Sequence, residues 1–210
     1  MIIVQTVTLA KPYLRQVSLS LVLILSCVFL SGCQILRSHQ MPSVTPDSVD
    51  KIMSWTARGK MMLADKKEKI SGYFYWQQEN EDFSFSLDTI IGTNLFSLEY
   101  KDGISTVKVN GKTYQGTDPQ PLIYKLTGHQ LPINNMADWL LGRIKEKKSG
   151  ATYDENNRIT AFRYTNNTRT WLINYASWKS IPPLVLPNKL NLSSNTNRVK
   201  ISVSDWNIRG

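Results

Sequence analysis

From Trp55 onward apolar residues return at every second position, and that period fits a half-buried β-sheet and little else. Ile70, Gly72, Phe74 and Trp76 occupy one face and alternate with Ser71, Tyr73, Tyr75 and Gln77. Phe83, Phe85 and Leu87 alternate with Ser84, Ser86 and Asp88, and Phe96, Leu98 and Tyr100 follow. Asp102-Gly103 and Asn110-Gly111 are two-residue hairpin signals leading into Ile104–Val109 and Lys112-Thr113-Tyr114. One apolar face joined by short turns demands consecutive antiparallel strands rather than βαβ units.

Helical spacing interrupts the alternation. Thr45-Pro46-Asp47-Ser48 offers a helix start with Val49, Ile52 and Met53 on one face. Asp118-Pro119 opens a second helix, in which Leu122, Ile123 and Leu126 share a face and Gly128 closes the last turn. Asn134 or Asn135 is the expected cap of a third, carrying Met136, Trp139 and Leu140 before Gly142. The two-residue period returns after Gly150 with Phe162 and Tyr164, a turn at Asn166-Asn167, then Trp171, Ile173 and Tyr175. Leu190, Leu192, Val199, Ile201 and Val203 complete it. Pro182-Pro183 and Pro187 mark a loop or an edge strand, because proline donates nothing to a ladder. The expected fold is mainly β (α+β): a curved antiparallel sheet forming an open, incomplete barrel covered by short helices.

Ahead of this domain the chain has a different chemistry. Lys11 and Arg15 precede an apolar run from Leu19 to Leu30, followed by Ser31, Gly32 and Cys33. Positive charge, an apolar core and small residues are the three parts of an export signal. A membrane-spanning helix needs about 20 apolar residues, and this core is shorter. Leu30-Ser31-Gly32-Cys33 resembles the lipobox of bacterial lipoproteins. That resemblance implies cleavage after residue 32, a diacylglyceryl group on the Cys33 thiol and an acyl group on its new amino terminus. Cys27 leaves with the leader, so no disulfide, metal-binding Cys pair or thiol nucleophile remains. Gln34, where many inner-membrane lipoproteins carry Asp, implies the outer membrane, with the protein facing the periplasm. The expected division is a leader at 1–32, a lipidated tether at 33–45 and one domain at 46–210.

Losing the leader takes the formal charge from +9 to +7, since Lys11 and Arg15 are its only charged residues. The basic runs Lys66-Lys67-Glu68-Lys69 and Lys145-Glu146-Lys147-Lys148 are short and broken by Glu. Nucleic-acid binding asks for a continuous basic face with stacking aromatics, and no such partner is expected. Attraction to anionic lipid or an acidic partner fits the charge better. Enzyme chemistry lacks a constellation. His39 lies in the tether and His129 between helices, so no catalytic residue, metal site or nucleotide-binding loop is expected.

Longer motifs follow in order. They are Tyr73-Phe74-Tyr75-Trp76-Gln77-Gln78, Thr127-Gly128-His129-Gln130-Leu131-Pro132-Ile133 with Trp139-Leu140-Leu141-Gly142, and Tyr164-Thr165-Asn166-Asn167 with Trp171 and Tyr175. Leu186-Pro187-Asn188-Lys189-Leu190 and Asp205-Trp206 come last. From Trp55 to Trp206 this succession resembles the LolB family of outer-membrane lipoprotein receptors. The resemblance implies a LolA/LolB-like open barrel with an apolar cavity. It also implies a monomeric receptor that takes lipoproteins from the periplasmic carrier LolA and inserts their acyl chains into the outer membrane. Its partners would be LolA, cargo lipoproteins and outer-membrane lipid, with no cofactor beyond the acyl and diacylglycerol groups on Cys33.

Candidates for the acyl cavity are Phe74, Trp76, Phe83, Phe85, Leu87, Phe96, Leu98, Leu126, Trp139, Leu140, Trp171 and Ile173. A filled core has the same binary pattern, so a structural outer-membrane lipoprotein or assembly-machine subunit is the alternative. A LolA-like carrier or a related stress sensor fits the same fold, but neither explains an anchor. In Thr89-Ile90-Ile91-Gly92-Thr93-Asn94 the family resemblance implies a protruding apolar residue just before a glycine, used to deliver cargo into the membrane. Ile91 before Gly92 takes that place, and Ile90, where the family often has Pro, is the second candidate.

Overall fold

The computed structural model describes residues 46–145, 149–166 and 169–209. The leader, Cys33 and the tether lie outside the described residues, as does Asn167 of the expected turn. Two runs of strands flank a helical connection. The first is β1 (Ser54–Ala64), β2 (Lys69–Glu79), β3 (Asp82–Thr89), β4 (Asn94–Lys101), β5 (Ile104–Val109) and β6 (Lys112–Gly116). Helices α1 (Pro119–Thr127) and α2 (Ile133–Leu141) follow. The second run is β7 (Ser149–Tyr153), β8 (Ile159–Asn166), β9 (Arg169–Ile181), β10 (Leu184–Ser193) and β11 (Arg198–Arg209).

All strands belong to one sheet in the order β6-β5-β4-β3-β2-β1-β11-β10-β9-β8-β7. Each run is a meander, and the runs join where β1 pairs antiparallel with β11, from Ser54 opposite Arg209 to Ala64 opposite Arg198. β6 and β7 are the two edges, so the sheet is open. The Asp102-Gly103 and Asn110-Gly111 turns have positive φ at both residues, the type I′ geometry that matches strand twist.

Every second residue of β1 faces inward: Trp55, Ala57, Gly59, Met61 and Leu63 are buried, while Arg58 and Lys60 are exposed. Trp55 stacks on Trp76 with ring centroids 6.0 Å apart, and Trp206 closes on Trp55 at 5.4 Å. Helix α2 drops Trp139 between Phe162 (5.7 Å) and Tyr164 (5.3 Å). The Tyr175 hydroxyl donates to the Trp139 carbonyl at 3.0 Å.

Two local expectations are corrected. Val49–Lys51 is a single 3-10 turn rather than an α-helix, capped by Ser48, and only its follower Ile52 is buried. Helix α2 starts directly after Pro132 with no side-chain cap, because Asn134 and Asn135 already lie within its first turn; the Asn134 amide donates to the Asp118 carboxylate at 3.0 Å. That carboxylate also caps α1 by accepting from the Gln120 N–H. Pro187 lies in the first half of β10, which pairs with β9 alone because the β11 ladder begins only at Lys189, so the proline keeps the edge position expected of it. Pro182-Pro183 forms the β9–β10 turn, with a cis peptide bond.

Candidate functional site

The β3–β4 hairpin ends in a tip whose geometry pushes apolar side chains outward. The Gly92 N–H donates to the Thr89 carbonyl at 2.9 Å, so Ile90 and Ile91 are the two central residues of a turn. Gly92 follows at φ +86°, a left-handed conformation that a β-branched residue resists. The Thr93 N–H donates to the Thr89 hydroxyl at 3.0 Å and locks the loop. Central turn residues have no strand beneath them. Ile90 is 71% and Ile91 89% exposed, an adjacent apolar pair rather than a single scattered side chain.

The twelve cavity candidates converge on the inner face of the sheet. Ten of them, from Phe74 to Ile173, are at most 3% exposed, and Phe83 and Leu126 pack partly buried against the same cluster. A water-sized sphere barely touches those ten, so in this conformation the inner face is packed. Trp55, Trp206, Phe162 and Leu186 belong to this cluster as fully as the candidates do. Trp55 and Trp206 were legible as inward positions of terminal strands, had the β1–β11 pairing been known.

One crevice leads toward this interior. A cleft of about 360 Å³ lies between the ends of β2–β4 and the helices. Phe83 and Tyr100, stacked at 5.5 Å, form one wall; Ile133, Asn134 and Ala137 of α2 form the other. Behind Phe83 the rings continue inward through Trp76 (4.9 Å) to Trp55. A polar clasp closes one end. Asp138 forms ion pairs with Arg143 at 3.0 Å and Lys145 at 3.1 Å, while Arg143 donates to the backbone carbonyls of Val49 and Ile52.

His129 is buried rather than lying free in a polar loop. Its Nε2 is 3.3 Å from the Glu68 carboxylate and its Nδ1 4.0 Å from Asp65, tying the α1–α2 connection to the β1–β2 hairpin. The Glu68 and Lys67 N–H groups donate to Asp65 and hold its carboxyl below the usual carboxylate range.

The described residues thus form an open antiparallel sheet laid over two helices, apolar within and carrying an apolar hairpin tip. A solved LolA superfamily protein from Nitrosomonas europaea superposes with a TM-score of 0.50 over 80% of this chain and 94% of its own, at 13% identity. Residues 53–206 match the family model described as outer membrane lipoprotein LolB, and the chain belongs to that family. Similar relatives include the outer-membrane lipoprotein LolB of Shewanella sediminis, 30% identical over 92% of this chain and 88% of the relative. That of Klebsiella pneumoniae is 26% identical over 88% and 96%. The protein is therefore an outer-membrane, lipid-anchored member of a lipoprotein-localisation family.

Proposed function

We propose that this protein accepts lipoproteins from the carrier LolA, holds their acyl chains against the apolar inner face and releases them into the outer membrane. The observation that carries the reading is the pairing of a continuous aromatic interior with the exposed Ile90–Ile91 tip. Acyl chains are costly in water, at about 0.8 kcal/mol per methylene, so hand-over requires a dry surface at every stage. Uptake parts the Phe83–Tyr100 wall from α2, and the chain then follows the rings toward Trp76. Release is downhill into the bilayer, with the Ile90–Ile91 tip entering the lipid first. No chemical step is involved and no cofactor is required. Cleavage after residue 32, lipidation of Cys33 and the tether at 33–45 keep the 46–210 domain, a monomer, within reach of the membrane.

The close packing of the inner face favours one rival: a structural lipoprotein with a filled core. Both are tested by mixing LolA, loaded with a labelled triacylated lipoprotein, with the chain beginning at Gln34. Label found on the domain supports acyl transfer. Label left on LolA, with the domain folded, overturns it in favour of the filled core.

A further inference from the structure

The outer face of the sheet carries a second feature beside the tip. Where β2, β1, β11 and β10 lie side by side, two rows of outward residues run across the strands. Tyr73, Lys60, Ser202 and Lys189 are opposite one another in the first; Ser71, Met62, Lys200 and Asn191 in the second. Together with Ile90 they line a groove of about 370 Å³. With strands about 4.8 Å apart and residues about 3.4 Å apart, Lys60 and Lys189 flank Ser202 across roughly 10 Å, and Lys200 lies about 7 Å along β11. All three lysines are exposed.

Their charge is not spent on carboxylates. Lys60 lies over the Tyr73 ring at 5.6 Å, and among the described residues none of the three makes a salt bridge. The carboxylates flanking the rows are engaged elsewhere. Asp88, opposite Tyr73, accepts from Asn94 at 2.8 Å and from Ser86, and Asp205 pairs with Arg58. Three ammonium groups on flexible stems around a hydroxyl suit a phosphate monoanion. Met62, Tyr73 and Ile90 on the β2 side suit the carbons attached to it.

We infer that this groove binds the phosphate headgroup of an anionic phospholipid, seating the outer face of β1, β2, β10 and β11 on the membrane surface beside the tip. The occupant follows from charge complementarity and from Ile90, which belongs to both groove and tip. The inference rests on the tip reading above, and the test separates the two. The chain from Gln34 retains every core residue and is sedimented with vesicles of phosphatidylcholine alone or mixed with phosphatidylglycerol. At about a fivefold gain per lysine, the three together should raise binding on the order of 100-fold on the anionic vesicles. The combined K60Q, K189Q and K200Q variant should lose that gain and bind neutral vesicles as before. A charge-matched control, K101Q, K108Q and K112Q on β4–β6, should keep it.

Ile91→Glu should lower binding to both vesicle types alike; if only this effect is missing, the tip reading fails and the groove stands. Equal losses in control and groove variants would reduce the effect to net charge and overturn the site. So would a groove variant that keeps the gain, or inorganic phosphate at millimolar concentration displacing the protein from anionic vesicles.

Discussion

Ile91→Glu isolates release from uptake and from folding. The side chain is 89% exposed, so the fold loses almost no packing and stability should stay within about 0.5 kcal/mol of wild type. In the bilayer the balance differs. Burying an isoleucine is worth about 1.5–3 kcal/mol, and a charged group at the lipid interface adds a cost of up to about 1 kcal/mol. Entry of the tip should therefore weaken by about 2–4 kcal/mol, a factor of roughly 30 to 1000 at 1.36 kcal/mol per decade. The assay follows a fluorescent lipoprotein in two stages: LolA to the domain, then domain to liposomes. The first stage should be unchanged and the second slowed by that factor. Second-stage rates equal to wild type, with the variant folded, would refute the assignment of the tip. Ile91→Leu keeps the apolar area and should restore delivery.

Other outcomes follow from the core. Gly142→Ala should cost about 2–4 kcal/mol in denaturant unfolding: φ is +76° and a Cβ would sit 2.8 Å from the Trp178 ring. Trp76→Ala, deep in the ring stack, should cost about 3–5 kcal/mol. Phe83→Ala, half-buried at the cleft, should cost less yet slow uptake from LolA. Tyr175 tests alkaline stability. Burial first, and the nearby Asp138 charge second, push its hydroxyl well above the ordinary tyrosine range. Its contribution is whole below the unfolded value of about 10 and fades as pH climbs beyond it. Tyr175→Phe should be less stable than wild type at neutral pH by about 0.5–1.5 kcal/mol, having lost the hydroxyl's bond to the Trp139 carbonyl, which keeps only its bond from the Gly142 N–H. That gap should narrow in alkali, as pH-dependent unfolding curves would show.

The strands were legible because alternation and the Asp-Gly and Asn-Gly turns are local signals. The pairing of β1 with β11 was not, since nothing local links Ser54 to Arg209, and this pairing places Trp206 against Trp55. The start of α2 was misread because Asn134 and Asn135 have the chemistry of a cap but already lie within the first turn. Pro187 was legible as an edge residue because proline has no N–H to give a ladder, and its stretch of β10 has β9 on one side only. His129 looked like a loop residue because Asp65 and Glu68 lie far back in the chain. Lys60, Lys189 and Lys200 looked like dispersed charge for the same reason: they meet only across three neighbouring strands. Ile90 and Ile91 were picked out by the family resemblance, but their outward direction was not legible, since two isoleucines at a hairpin end can also tuck back into the sheet; the turn at Thr89–Gly92 decides it. Packed or hollow was not legible either, because both interiors share one pattern of alternation.

The unpaired edges, β6 and β7, set what this sheet can hold. A closed barrel has its girth fixed by strand number and stagger, and widening it breaks a ladder. Here, among the described residues, the edges are not paired with each other, and the two helices lie between them in the chain. The sheet can uncurl by spreading a small change in twist over its strands, with every ladder hydrogen bond retained. On the function proposed above, capacity is therefore elastic, and acyl chains of different length and number can share one receptor.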